Sequence, residues 1–279
     1  MWRLFISIGL IVFLSTAPRS VLAASEDDEA RVELAIFTGA YAVGLGVYTS
    51  LELDLNPRPA AWLSAGLAGA AGYGSLELGP ELEVKDVRLM ESAAGWAMLD
   101  TVLLSLELSK KNDPLPWMFA GGALAFAGAA AAAPYYRGTA GEISLINSGG
   151  IWMPMGGLLF GVTFHLGSGK HLPRDILVLN LAGLGIAAYT TRQYSPTREQ
   201  VLTMDGGILL GSLVGALTAL ALWKVHDSYE VLTGLAVVGM VAGAALAINK
   251  SGFDRKGAID ASQVGIRQSA MIPLGWGTW

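Results

Sequence analysis

An all-α membrane bundle of about eight glycine- and alanine-rich helices, arranged as four helix-hairpin repeats, is the fold class this sequence predicts. Three observations predict it. Charge is scarce: 15% of the 279 residues are charged and 53% are hydrophobic, with a mean hydropathy of +0.49, whereas a soluble domain carries about 25% charged residues. The charges gather in short clusters between long apolar runs such as "WMFAGGALAFAGAAAAA" (117–133). Small residues also recur every fourth position inside those runs, as in "GGILLGSLVGALTAL" (206–220).

The apolar runs repeat. "VELAIFTGAYAVGLG", "VRLMESAAGWAML", "EISLINSGGIWMPMGG" and "EQVLTMDGGILLG" each pass from branched apolar residues to a polar one and then to two small ones, with a spacing of about 55 residues. Each is followed by a second apolar run. Three of the second runs follow Pro57, Pro114 and Pro173 at matching places, and the fourth follows Asp227. The predicted organisation is an export signal over 1–23, a four-repeat helical membrane domain over 24–249 (units at about 26–79, 80–136, 137–192 and 193–249) and a C-terminal tail over 250–279.

Capping chemistry favours helices over strands. Thr139 and Glu142 have the spacing of a capping box, as do Asp227 and Glu230. Asp113-Pro114 and Ser195-Pro196 offer an N-cap followed by a proline at the first helical position. From these starts the first run of each unit extends for about 25 residues and the second for about 20, enough to cross about 30 Å of hydrocarbon. An outer-membrane barrel needs apolar and polar residues to alternate over about ten positions; these runs are apolar on every side.

Residues four apart share a helix face. Gly207, Gly211, Gly215 and Ala219 form one row, and Gly239, Gly243 and Ala247 another. In lipid, close van der Waals approach has to drive helix association, and small residues permit it. These rows, Gly207, Gly211, Gly215, Gly239 and Gly243 above all, are expected to be helix-packing positions.

At the N-terminus, Met1-Trp2-Arg3 precedes the apolar stretch "LFISIGLIVFL" and the small-residue segment "SVLAAS". Eleven apolar residues are too few to span a bilayer, so the pattern reads as an export signal cleaved after Ala23. The alternative is an uncleaved anchor. Basic residues are somewhat richer in the connections between units than inside them, which conflicts with the orientation a cleaved signal gives.

Polar residues inside the apolar runs are few. Glu91, Asn147 and Asp205 occupy nearly the same point of three units, and Asp100 sits within "GWAMLDTVLLSL" with no basic residue a turn away. Ionisable residues within a span are costly and often functional. One reading gathers Glu91, Asp100, Asn147 and Asp205 into a polar layer along an ion or proton path. The other leaves Glu91 and Asp205 at headgroup depth and gives Asn147 a neighbouring backbone partner, with Asp100 the hardest to explain in that way. Pro154 predicts a kink in the third unit.

No nucleophile elbow, phosphate loop or zincin pattern occurs. His165, His171 and His226 lack metal-ligand spacing, "GSGK" (167–170) lacks the flanks of a phosphate loop, and there is no cysteine. Neither catalysis nor a cofactor or metal is expected. The net charge of −5 argues against nucleic acid as a partner. The expected partners are the lipid bilayer and other membrane proteins, further copies of this chain included. The expected function is that of an exported, multi-pass cell-envelope membrane protein of structural or assembly type. A channel or transporter with a polar layer, and a secreted soluble helical repeat, are the alternatives.

Overall fold

The computed structural model describes residues 26–78, 82–108, 113–166, 171–222 and 229–253. The expected export signal, Asp227 of the expected fourth cap, His226, "GSGK" and the tail beyond residue 253 lie outside them. The described residues are all-helical: α1 Glu26–Glu52, α2 Pro57–Leu78, α3 Val84–Leu108, α4 Pro114–Ala132 with a 3-10 turn at Ala133–Tyr135, α5 Ala140–Thr163, α6 Leu172–Thr190, α7 Arg198–Leu222 and α8 Tyr229–Ser251. Seven of the eight are long and apolar enough to cross a membrane; α2, which carries Arg58 and Glu77, is the exception. The molecule is a membrane helical bundle.

The caps explain where several helices begin. Asp113 accepts from the Leu115 N–H at 3.1 Å, with Pro114 opening α4. Thr139 and Glu142 close a reciprocal box at the start of α5. The start of α7 differs from the expected Ser195-Pro196. Thr197 and Gln200 make the box there, with Gln200 N–H on Thr197 Oγ1 at 3.2 Å and Thr197 N–H on Gln200 Oε1 at 2.8 Å. The Ser195 hydroxyl is directed instead to Glu142 Oε1 at 3.1 Å. A Thr-x-x-Gln box satisfies two orphan N–H groups, where a serine cap satisfies one.

Consecutive helices pair as antiparallel hairpins: α1 with α2, α3 with α4, α5 with α6, α7 with α8. The first helices of the pairs, α1, α3, α5 and α7, form a row in which each touches the next. The second helix of each later pair also reaches back to the first helix of the pair before. The Tyr41 hydroxyl of α1 donates to the Phe119 carbonyl of α4. Glu107 of α3 meets His171 at the start of α6, at 2.9 Å. His165, just past α5, meets Glu230 of α8 at 3.1 Å, and Thr163 bonds Thr233 at 2.8 Å. Among the described residues no pair precedes α1 and α2, and Trp62 and Tyr73 on α2 stand 79% and 67% exposed.

Two of the four buried clusters mark the two halves. Met98, Val102, Leu115, Met118 and Phe119 pack beneath Tyr41 and Tyr48 at one end of the row. Leu145, Ala187, Val201, Met204, Ile208 and Met240 pack with Trp152 and Leu159 at the other. Outward faces carry exposed Leu209, Leu210, Leu213 and Val214. In a bilayer such faces meet acyl chains and need no protein cover.

Candidate functional site

The polar residues of the row define the candidate site. On α3, Ser92 and Trp96 lie four apart and therefore on one face. Both donate to a single atom, Asn147 Oδ1 of α5, the hydroxyl at 2.5 Å and the indole N–H at 2.8 Å. One pair further along, Ser148 and Trp152 of α5 do the same to Asp205 Oδ1 of α7, with the indole at 2.8 Å. The arrangement is one device used twice: a Ser-x-x-x-Trp clamp on one helix and one acceptor oxygen on the next helix of the row. A carbonyl or carboxylate oxygen has two lone pairs, and two donors saturate it.

Asn147 and Asp205 are thus brought to equivalent places in adjacent interfaces. Glu91, half-buried, precedes the clamp serine on α3 as Asn147 precedes it on α5. Asp100 stands apart from them. It is nine residues beyond Glu91 on the same helix, about 13 Å along the axis at 1.5 Å per residue. Polarity within an apolar run marks the acids and the amide in the sequence but not the serine and tryptophan that clamp them. The visible signal was Ser-x-x-x-Trp occurring twice, 56 residues apart, at 92/96 and 148/152.

A second polar contact has a different cause. Pro154 lies buried inside α5. Proline has no N–H, so the carbonyl four residues earlier, that of Gly150, loses its helical partner. Asn180 of α6, completely buried, supplies one: its Nδ2 donates to the Gly150 oxygen at 3.0 Å. In hydrocarbon an unsatisfied carbonyl costs several kcal/mol, so the proline and the asparagine explain each other. His165 and Asn180 have separate partners.

Beside the second clamp lies a groove of about 320 Å³ between α5, α6 and α7. Its walls are mainly apolar, with Trp152, Met153, Ile186 and Met204 among them, and Ser148 and Thr190 as polar points. Among the described residues no three of His, Asp and Glu gather closely enough to hold a metal ion.

The glycines set the distances. A Cβ added at Gly211 would run into the Gly239 carbonyl, one at Gly243 into the Gly207 carbonyl, and one at Gly215 into the Leu235 carbonyl. The two backbones touch along the hairpin in one antiparallel register: 207 with 243, 211 with 239, 215 with 235. In the preceding hairpin, Gly149 and Gly183 meet in the same manner. No family model matches the chain, and neither does any curated protein or solved structure.

Proposed function

We propose that this chain is an exported multi-pass membrane protein of structural or assembly type, a row of helix hairpins without catalytic activity. The observation that carries this reading is the double clamp. Asn147 and Asp205 accept the same two donors in the same geometry. A neutral amide oxygen thus serves as well as a carboxylate, so the position has no need of a charge, and its chemistry is consumed in joining one helix to the next. The glycine contacts support the same reading, because they bring the backbones of α5 and α6, and of α7 and α8, into direct contact. The apolar outward faces fit a bilayer as the principal partner. Export rests on the N-terminal sequence pattern; N-terminal sequencing of the purified protein should begin at Ala24 or Ser25, and a start at Met1 would make that segment an anchor.

The channel or transporter reading assigns Asp205 an ionisable task, and the two readings diverge on two substitutions. A joining role predicts that Asp205→Asn keeps the melting temperature in detergent, since the amide oxygen still accepts. It also predicts that Asp205→Leu destabilises by about 1–3 kcal/mol, because the Ser148 hydroxyl and Trp152 indole lose their acceptor. A well-folded Asp205→Asn protein that had lost an ion flux measured for the wild type in liposomes would overturn the structural reading.

A further inference from the structure

Two buried oxygens at one depth have nothing to accept from. Asn180 Oδ1 is buried and has no hydrogen-bond donor, although the same side chain's Nδ2 is engaged with Gly150. Asp100 Oδ1 on α3 is likewise buried without a donor. The register of α3 against α6 brings these residues level. The two helices run antiparallel, with Glu107 against His171 at one end. At the other, Trp96 and Leu184 lie together beside Gly150, where an added Cβ would meet both at 2.7 and 2.8 Å. Asp100 is one turn beyond Trp96 and Asn180 is one turn before Leu184. Because the helices are antiparallel, both steps lead in the same direction from the shared contact. Asp100 also lies on the stripe of α3 that includes Trp96 and Glu107, which is the stripe turned to α6.

Two acceptors at one level of facing helices can be satisfied by one hydrogen between them. We infer that Asp100 binds a proton at this site, and that its carboxylic hydroxyl donates to Asn180 Oδ1. The result is a three-membered relay across α3, α6 and α5: the Asp100 hydroxyl to the Asn180 carbonyl, and the Asn180 amide to the Gly150 carbonyl that Pro154 leaves open. Each member then has its partner, as buried polar groups require. Among the described residues no cation pairs with the carboxyl. Helix α4 carries no charged residue. On α5 the only charged residue is Glu142, in the first turn. On α6, Arg174 is paired with its neighbour Asp175 in the first turn. Helix α1 contributes Tyr41, whose hydroxyl is committed to Phe119, and the Glu33–Arg88 pair joins α1 to the other end of α3. His171 and Glu107 pair two turns from Asp100. An unpaired carboxylate at this depth is disfavoured, and a neutral acid that donates is the stable alternative.

The test is infrared spectroscopy of the purified full chain at neutral pH, comparing wild type with Asp100→Asn and Asn180→Ala. The expected result is a protonated-carboxyl C=O band in the wild type that Asp100→Asn abolishes and Asn180→Ala moves to higher frequency. Wild-type and Asp100→Asn spectra identical in that region would overturn the inference, because Asp100 would then be ionised. A band at an unchanged position in Asn180→Ala would overturn the partnership. Should Asn180→Ala fail to fold, melting in detergent decides. An Asp100→Asn protein as stable as wild type beside an Asp100→Leu protein melting several degrees lower upholds the donor, and equal melting of all three overturns it.

Discussion

The two ends of the row are joined by opposite means. At the α7–α8 end the contact is backbone on backbone, with Gly207, Gly211, Gly215, Gly239 and Gly243 leaving no space for a single added carbon. At the α1–α4 end the helices are held apart by rings. Phe37 stacks on Phe126 with centroids 6.0 Å apart, Tyr41 meets Phe119 edge-on at 5.5 Å, and Tyr48 packs on Phe119 at 5.6 Å. Glycine contacts take their strength from closeness, so they are rigid and intolerant of volume. Aromatic contacts take theirs from large faces, and neighbouring rings can shift to absorb a change. The difference shows that one sequence can solve helix association in lipid by removing side chains or by enlarging them, and that the two solutions fail differently.

The largest expected effect breaks the close end. Gly211→Leu places a branched side chain against the Gly239 carbonyl, and the cost should reach or pass the upper end of the about 1–3 kcal/mol typical of overpacking. Leu210→Ile, on a residue 63% exposed, is the control and should leave melting unchanged. Equal melting temperatures for the two variants would mean that the backbones are not in contact.

A sharper version uses two adjacent glycines. A Cβ on Gly207 meets Gly243 O at 2.5 Å and the Ala247 Cβ at 2.6 Å, whereas a Cβ on Gly206 meets nothing within 4 Å. Gly207→Ala should therefore destabilise by roughly 1–3 kcal/mol. Gly206→Ala should be neutral or stabilise by up to about 1 kcal/mol, the helix-propensity difference. Thermal melting of the pair reads the difference directly, and the same sign for both would refute the register of α7 on α8.

The smallest effect belongs to the aromatic end. Phe119→Leu keeps an apolar body but removes the ring contacts to Tyr41 and Tyr48, a loss of about 1 kcal/mol. Chemical unfolding in mixed micelles should show this as a shift in midpoint smaller than that of Gly207→Ala. A larger shift would mean that the ring holds α1 to α4 more rigidly than the comparison allows.

Much of the fold is legible in the sequence. Helix periodicity, run length and the Thr139–Glu142 box are local properties, so the sequence reveals α5 almost to the residue. The row at Gly207, Gly211 and Gly215 marks a contact face, because spacing of four is a property of a single helix. The start of α7 lies two residues beyond the one Ser195-Pro196 predicts, because Ser195-Pro196 and Thr197–Gln200 are both valid local caps. Only the position of Glu142, which takes the Ser195 hydroxyl, separates them.

The site was less legible. The sequence alone determined which residues are polar in an apolar setting: Glu91, Asp100, Asn147 and Asp205. It could not say what they touch, since a partner about 55 residues away depends on which helix lies beside which, and on the rotation of each about its axis. The tertiary structure decided that Asn147 and Asp205 are each clamped by a Ser-x-x-x-Trp pair from the preceding unit. It decided that Asn180, unremarkable in sequence, answers the carbonyl that Pro154 sets free. The physical reason is one of range. Propensity, capping and face periodicity are settled within a few turns of one chain segment, whereas hydrogen-bond partnership between helices is settled by packing. In lipid, packing follows from where glycines let two backbones touch.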